Sequence, residues 1–208
     1  MSAFFCYIEY NSYASDMKVQ IRKATPQDAI SLAPILLLAM KYIVYYLIGQ
    51  QDKAKAIDFL TYCIAQKDNQ YSYQPIWIAE ANGAILGQAS LYDGADLAKL
   101  REPVLDYIAQ EYQHTPVLFD ETSAGEIYLD TIAVSPDAQG MGIGQLLLRH
   151  IVDFYVHNQK ATVGLLVDQE NPKAKSLYLR TGFSKVSEKS IFGKRLDHLQ
   201  IKPTAKDS

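Results

Sequence analysis

Apolar and polar positions change period along the chain, and each change marks an element. Residues 19–24 (VQIRKA) alternate, the two-residue period of a half-buried strand. Thr25 and Pro26 then read as an N-cap and a first helical residue. The helix they open and a second one over residues 52–66 fill the first third of the chain. Residues 76–80 (IWIAE) and 84–91 (AILGQASL) are two strands joined through Asn82-Gly83, a strong signal for a tight hairpin. Residues 93–112 are polar and partly helical, an insertion between strands. Residues 126–134 form the next strand, and 143–155 a helix with Ile143, Leu147, Ile151 and Phe154 on its buried stripe. The short apolar run 162–167 (TVGLLV) suits a strand covered on both faces. A helix over 171–180 and strands over 183–188 and 191–201 complete a mixed α/β order in one unit, with no repeat or low-complexity tract.

Length and composition narrow the class without naming a chemistry. A chain of 208 residues is long enough for one domain burying ~70% of its unfolded surface. Its 49% hydrophobic and 21% charged residues are those of an ordinary globular protein. Lysines and arginines are scattered and the net charge is −3, so no nucleic-acid partner is expected. Cys6 and Cys63 form no CxxC pair, which fits a reducing cytoplasm, the expected location. Residues 1–17 read as a poorly ordered extension rather than a signal peptide, because Glu9 interrupts their apolar part. The domain is expected over residues 18–202, with 203–208 as a tail. Residues 29–48 are nearly long enough to span a bilayer, but Pro34 and Lys41 argue for a buried helix and no membrane partner. Their surplus apolar surface suits either a substrate cleft or a homodimer contact.

Gln139-Gly140-Met141-Gly142-Ile143-Gly144 sits between a strand and a helix. Three glycines there leave backbone N–H groups uncovered at a positive helix end, a ready anion site that usually takes phosphate. Gln145 stands where a dinucleotide fingerprint needs its third glycine, and GxxxxGK[ST] is absent. A glycine-rich turn with no ligand fits the triplet alone equally well. A second segment lies beyond the TVGLLV strand. Asn171 is a good N-cap, Pro172 suits the first helical position, and Gly182 fits the left-handed place after the helix. Tyr178 lies almost two turns after Asn171 on the same face, roughly 10 Å away.

Together these segments resemble the GNAT superfamily of acyl-CoA-dependent N-acetyltransferases. Gln139, Gly142 and Gly144 match its Gln/Arg-x-x-Gly-x-Gly/Ala loop, and Asn171, Ala174, Tyr178, Gly182 and Phe183 match its downstream pattern. The resemblance follows element order over residues 19–201, and its specific part is 126–183. It implies an α/β (α+β) domain with a mixed central sheet of six to seven strands, splayed near the fourth and fifth and flanked by helices.

What the resemblance implies for mechanism is acetyl-CoA as cosubstrate, a primary amine as acceptor on a small molecule or a peptide, and no metal. The coenzyme pyrophosphate would rest on N–H groups of Gln139, Gly140, Met141, Gly142, Ile143 and Gly144. The pantetheine arm would run along Ile132, Ala133 and Val134 and be bound by Asn171. Tyr178 would lie near the sulfur and protonate it as it departs, while an N–H near Val134 steadies the oxyanion. Glu126, Tyr128 and Asp130 share a face if their strand is regular. Glu126 and Asp130 are therefore candidates for the general base or for a negative rim. A structural Asp130 and a solvated Glu126 fit equally well, and a bulge would change which residues face the cleft.

Other constellations are weaker. His150, Asp153 and His157 read as a solvated helix face, and Cys63 as a small buried hydrophobe. Tyr42, Tyr45 and Tyr46 suit an acceptor pocket or the core. The insertion over residues 93–121 suits a cover on the acceptor side. Two further functions stay open: a non-catalytic acyl-CoA-binding sensor, and a transferase for another acyl group or acceptor.

Overall fold

A computed structural model describes residues 18–204; the expected N-terminal extension and most of the tail lie outside the described residues. Seven strands form one sheet: β1 Gln20–Lys23, β2 Ile76–Ala81, β3 Ala84–Asp93, β4 Ile127–Val134, β5 Val163–Asp168, β6 Ser184–Ile191 and β7 Lys194–Ile201. Their spatial order is β1-β2-β3-β4-β5-β7-β6, antiparallel except where β4 meets β5. The β2–β3 connection is the expected tight turn, with Asn82 and Gly83 both at positive φ. The last hairpin differs from the sequence-based boundaries. Its first strand runs on to Ile191 and its second starts only at Lys194, because Phe192 and Gly193 take positive φ to make a second two-residue turn. A phenylalanine at that place carries no turn signal.

Helices cover both faces. α1 (Ala29–Leu47), α2 (Lys53–Ala65) and α3 (Leu97–Tyr112) pack on one side, burying Leu32, Leu36, Val44, Phe59, Leu60 and Ile108. α1 is entered through a short 3₁₀ turn, Pro26–Asp28, where the Asp28 carboxylate accepts from the Thr25 N–H and hydroxyl and is gripped by Arg22. α1 is long and apolar enough to cross a membrane, with 44% of its window buried inside the protein. Its inward face belongs to the core, while Ile30, Leu38 and Tyr42 lie outward.

On the other side lie α4 (Ile143–Ile151), its π-helical continuation Val152–Asn158, and α5 (Pro172–Arg180). Leu147, Leu148 and Ile151 are fully buried, each contributing about 1.5–3 kcal/mol relative to exposure. His150 stands seven residues after Ile143, nearly two turns on, and so falls on the buried face of α4. That corrects the expected solvated position: His150 is buried against Trp77, ring centroids 4.4 Å apart, with Nε2 unpartnered. Desolvation lowers its pKa.

Candidate active site

β4 and β5 begin side by side and then part. They are paired only at Ile127 with Val163 and Tyr128 with Gly164, although β4 runs on to Val134 and β5 to Asp168. β3 still pairs with β4 to Val134, and β7 with β5 to Asp168. The facing edges beyond Tyr128 and Gly164 therefore have no partner in each other. Ile132, Ala133 and Val134 line one of those edges.

The strand carrying them is not regular. Ser90 pairs with Thr131 but Leu91 with Leu129, so Asp130 is an extra residue, a β-bulge. Leu129 and Ile132 consequently both meet the α4-side core, three positions apart. Tyr128 stays on the opposite side with Tyr92, and Thr131 joins that side through the Gln88 amide at 3.2 Å. The regular alternation that would carry Glu126, Tyr128 and Asp130 onward ends here.

At the far end of β4 a 3₁₀ turn, Pro136–Ala138, leads into the glycine segment. Gly140 and Gly142 have φ of 81° and 80°, and a Cβ on either would meet open space. Their need is conformational. Gly144 has no such φ, and its Cβ would make ordinary contacts with Val134 and Leu177. Gln139 and Met141 direct their N–H groups to Pro136 and Ala138 carbonyls at 3.3 Å, which removes two of the six expected donors. Gly142, Ile143 and Gly144 open α4, whose first backbone bond from beyond them runs from the Leu146 N–H to the Gly142 carbonyl. These groups are the positive start of the helix, next to the parted strands. Gly87, unnoticed in the sequence, lets β3 pass under this corner: a Cβ there would be 2.9 Å from the Ala133 carbonyl oxygen.

α5 brings two further predicted residues to the same side. Asn171 caps it, Oδ1 accepting from the Ala174 N–H at 3.1 Å, which leaves its NH₂ as the free hydrogen-bonding end. Tyr178 is buried in the α4-side core beside Phe183, and burial pushes its phenol up to about 12. Its hydroxyl has no hydrogen-bond partner among the described residues. A shallow groove lined by Pro172, Lys173, Ser176 and Arg180 lies on the outward face of α5, away from Tyr178.

The two predicted carboxylates occupy different places. Glu126 is buried, not solvated. Its Oε1 accepts from the Thr122 hydroxyl at 2.7 Å, and its Oε2 from Gln200 Nε2 at 2.7 Å and His198 Nε2 at 2.8 Å. It reaches across Gly164, where an added Cβ would fall 1.8 Å from Oε2. Asp130, at the bulge, is half-buried as a residue with its Oδ2 shut off from solvent and unpartnered. Burial, and then the charge of Glu121, hold its carboxyl well above the usual carboxylate range, against the opposing pull of Gln70, Arg101 and Tyr92. The segment that follows α3 supplies that environment. Arg101 binds Asp120, Glu121 and the Phe119 carbonyl, and Glu121 accepts from Gln70 and Tyr92. Lys189 of β6 donates to the Glu121 carbonyl at 2.8 Å, so the segment is tied to the sheet on the α1 side.

Of the three predicted tyrosines, Tyr46 lies with Val117, Phe119 and Phe192, its ring 4.9 Å from that of Phe192. Tyr42 is largely exposed, and Lys41 lies over the Tyr45 ring. Thr122, Gly164, His198 and Gln200 carried no signal in the sequence, because what links them is a carboxylate more than 70 positions away from His198 and Gln200.

A mixed sheet that opens between two parallel strands, with a bare helix start on one side of the opening, defines the acetyltransferase class of fold. The chain belongs to the acetyltransferase (GNAT) family, whose model matches residues 46–183. A solved structure described as an acetyltransferase superposes with a TM-score of 0.76 at 30% identity, covering 88% of this chain and 99% of that one. Curated relatives match over 73 residues. A mycothiol acetyltransferase of Beutenbergia cavernae is 34% identical there, over 35% of this chain and 24% of its own. The [ribosomal protein bS18]-alanine N-acetyltransferase of Escherichia coli K12 is 37% identical, over 35% of this chain and 46% of its own. The chain thus spans less than half the length of these relatives.

Proposed function

We propose that this protein transfers an acetyl group from acetyl-CoA to a primary amine, by direct attack within a ternary complex. The observation that carries the reading is the opening between β4 and β5, with a phenol that can give a proton and a carboxylate that can take one on its two sides: Tyr178 in the α4-side core and Glu126 on the side of Tyr128. The pyrophosphate would rest on the free N–H groups of Gly140, Gly142, Ile143 and Gly144. The arm would pair with the unpartnered edge at Ile132, Ala133 and Val134, steadied by the Asn171 amide.

The amine must lose a proton and the thiolate must gain one. Glu126, held by three hydrogen-bonding partners, is the base in this reading. Asp130 ranks second, since a carboxyl held protonated by burial accepts no proton near neutral pH. Attack by the neutral amine forms a C–N bond and an oxyanion, which collapses as the C–S bond breaks. Tyr178, its phenol still protonated at neutral pH, gives the sulfur its proton. The acceptor is a small-molecule or peptide amine, as in the named relatives, and the cytoplasm, where acetyl-CoA is available, is the compartment assigned.

Thiol release from acetyl-CoA over an amine library tests the reading. Tyr178→Phe should lower kcat by roughly a hundredfold and leave the Kd for coenzyme A unchanged. Tight acetyl-CoA binding with no thiol released to any amine would instead support a non-catalytic sensor.

A further inference from the structure

Glu126 belongs to a chain of polar groups that reaches the surface. His198 Nε2 meets Glu126 Oε2 at 2.8 Å, and His198 Nδ1 meets the Ser187 hydroxyl at 3.2 Å. A carboxylate only accepts, so Nε2 carries the proton and the neutral ring's Nδ1 accepts from Ser187. Ser187 is exposed on the edge strand β6, while Glu126 is buried. The imidazole therefore has one nitrogen facing the buried carboxylate and the other facing a group in contact with solvent.

Resting on the reading of Glu126 as base, we infer that His198 is a positioning residue that sets when Glu126 is basic enough to act. In the neutral form its N–H orients the carboxylate while leaving its electron pairs able to take the amine's proton. Protonation at Nδ1, with Ser187 turning its hydroxyl away, places a full positive charge 2.8 Å from Oε2. That charge stabilises the ionised carboxylate and weakens it as a base.

The other polar and charged groups packed around this pair have partners or roles of their own. From β7, Gln200 donates to Glu126, and Asp197 belongs to a separate cluster with Lys175 and Lys185. From the segment before β4, Thr122 donates to Oε1. From β6, Lys189 is held by the Glu121 carbonyl, and Glu188 by Lys185 and Arg195. From β4, the Tyr128 phenol is raised by burial and stays protonated. From β5, Gly164 and Leu166 contribute no ionisable group.

The test is the pH dependence of kcat/KM for wild type, His198→Gln, His198→Ala, Ser187→Ala and Glu126→Gln. Glutamine keeps an N–H donor for Glu126 but does not change charge. His198→Gln should hold kcat/KM within about threefold at pH 8 and lose the wild-type acid limb. His198→Ala should lose roughly tenfold or more across the range, and Ser187→Ala should move the acid limb. An unaltered acid limb in His198→Gln, together with a large loss in Glu126→Gln, overturns this inference and leaves Glu126 as base. No loss in Glu126→Gln overturns the base reading and this inference with it. If His198→Ala does not fold, the glutamine and Ser187 variants decide.

Discussion

Substitution of Gly164 by alanine probes the site at its tightest point. The new methyl carbon would lie 1.8 Å from Glu126 Oε2 and 2.3 Å from Cδ, against a backbone already paired on both sides. The carboxylate must move or the strands must part. Moving it breaks at least one of three bonds of 2.7, 2.7 and 2.8 Å to a buried charge, each worth about 1.5–3 kcal/mol. Parting the strands is overpacking, at about 1–3 kcal/mol. Replacing a strand glycine regains about 0.5–1 kcal/mol of chain entropy. The balance is a loss of roughly 0.5–2.5 kcal/mol if one bond goes, readable as a shifted urea midpoint at unchanged slope. Acetyl transfer should fall with it, because the base is displaced. The double variant Gly164→Ala/Glu126→Ala removes the clashing atoms and should show strong coupling in a double-mutant cycle. A Gly164→Ala protein as stable and active as wild type, with additive effects in the double variant, would refute the reasoning.

Two more outcomes follow from the geometry. Gly142→Ala forces an L side chain to positive φ, at about 1–2 kcal/mol, and turns the helix-opening N–H groups. Calorimetry should find coenzyme A bound roughly tenfold more weakly, whereas Gly144→Ala, without that φ, should change little. Asp130→Asn tests the buried carboxyl. Its folded pKa lies above the unfolded value near 4, so folding binds its proton more tightly and stability falls as pH rises between those two values. The variant should therefore melt higher than wild type at pH 9 and equally at pH 3, below both values; a pH-independent difference would contradict the assignment.

Element order was legible because α1, α4 and the strands carry local periods, and because Asn82-Gly83 dictates its own turn. The helix start at the glycine segment and the capped α5 were legible for the same reason. Gly140, Gly142, Asn171 and Tyr178 lie in two continuous stretches whose caps and glycines have local causes. The surroundings of the two carboxylates were not. Bulging at Asp130 depends on how β3 pairs with β4, and no residue in IYLDTIAV announces an extra position. The burial of Glu126 depends on Thr122, His198 and Gln200, the last two beyond two intervening helices in sequence. His150 is polar, yet it stands seven residues after Ile143, nearly two turns on, and so shares the buried stripe that the expectation of a solvated face overlooked.

The parted strands have a mechanical consequence. Two residue pairs are all the β-ladder that joins the β1–β4 half of the sheet to the β5–β7 half. Glu126 ties the halves again from the side, since its partners His198 and Gln200 sit on β7, one strand beyond β5. The residue read as base is thus also a clasp, and trimming it should speed amide exchange at Ile127 and Tyr128. Chemistry and cohesion are separable here only by a replacement that keeps the clasp shut, which is why glutamine rather than alanine is the informative change.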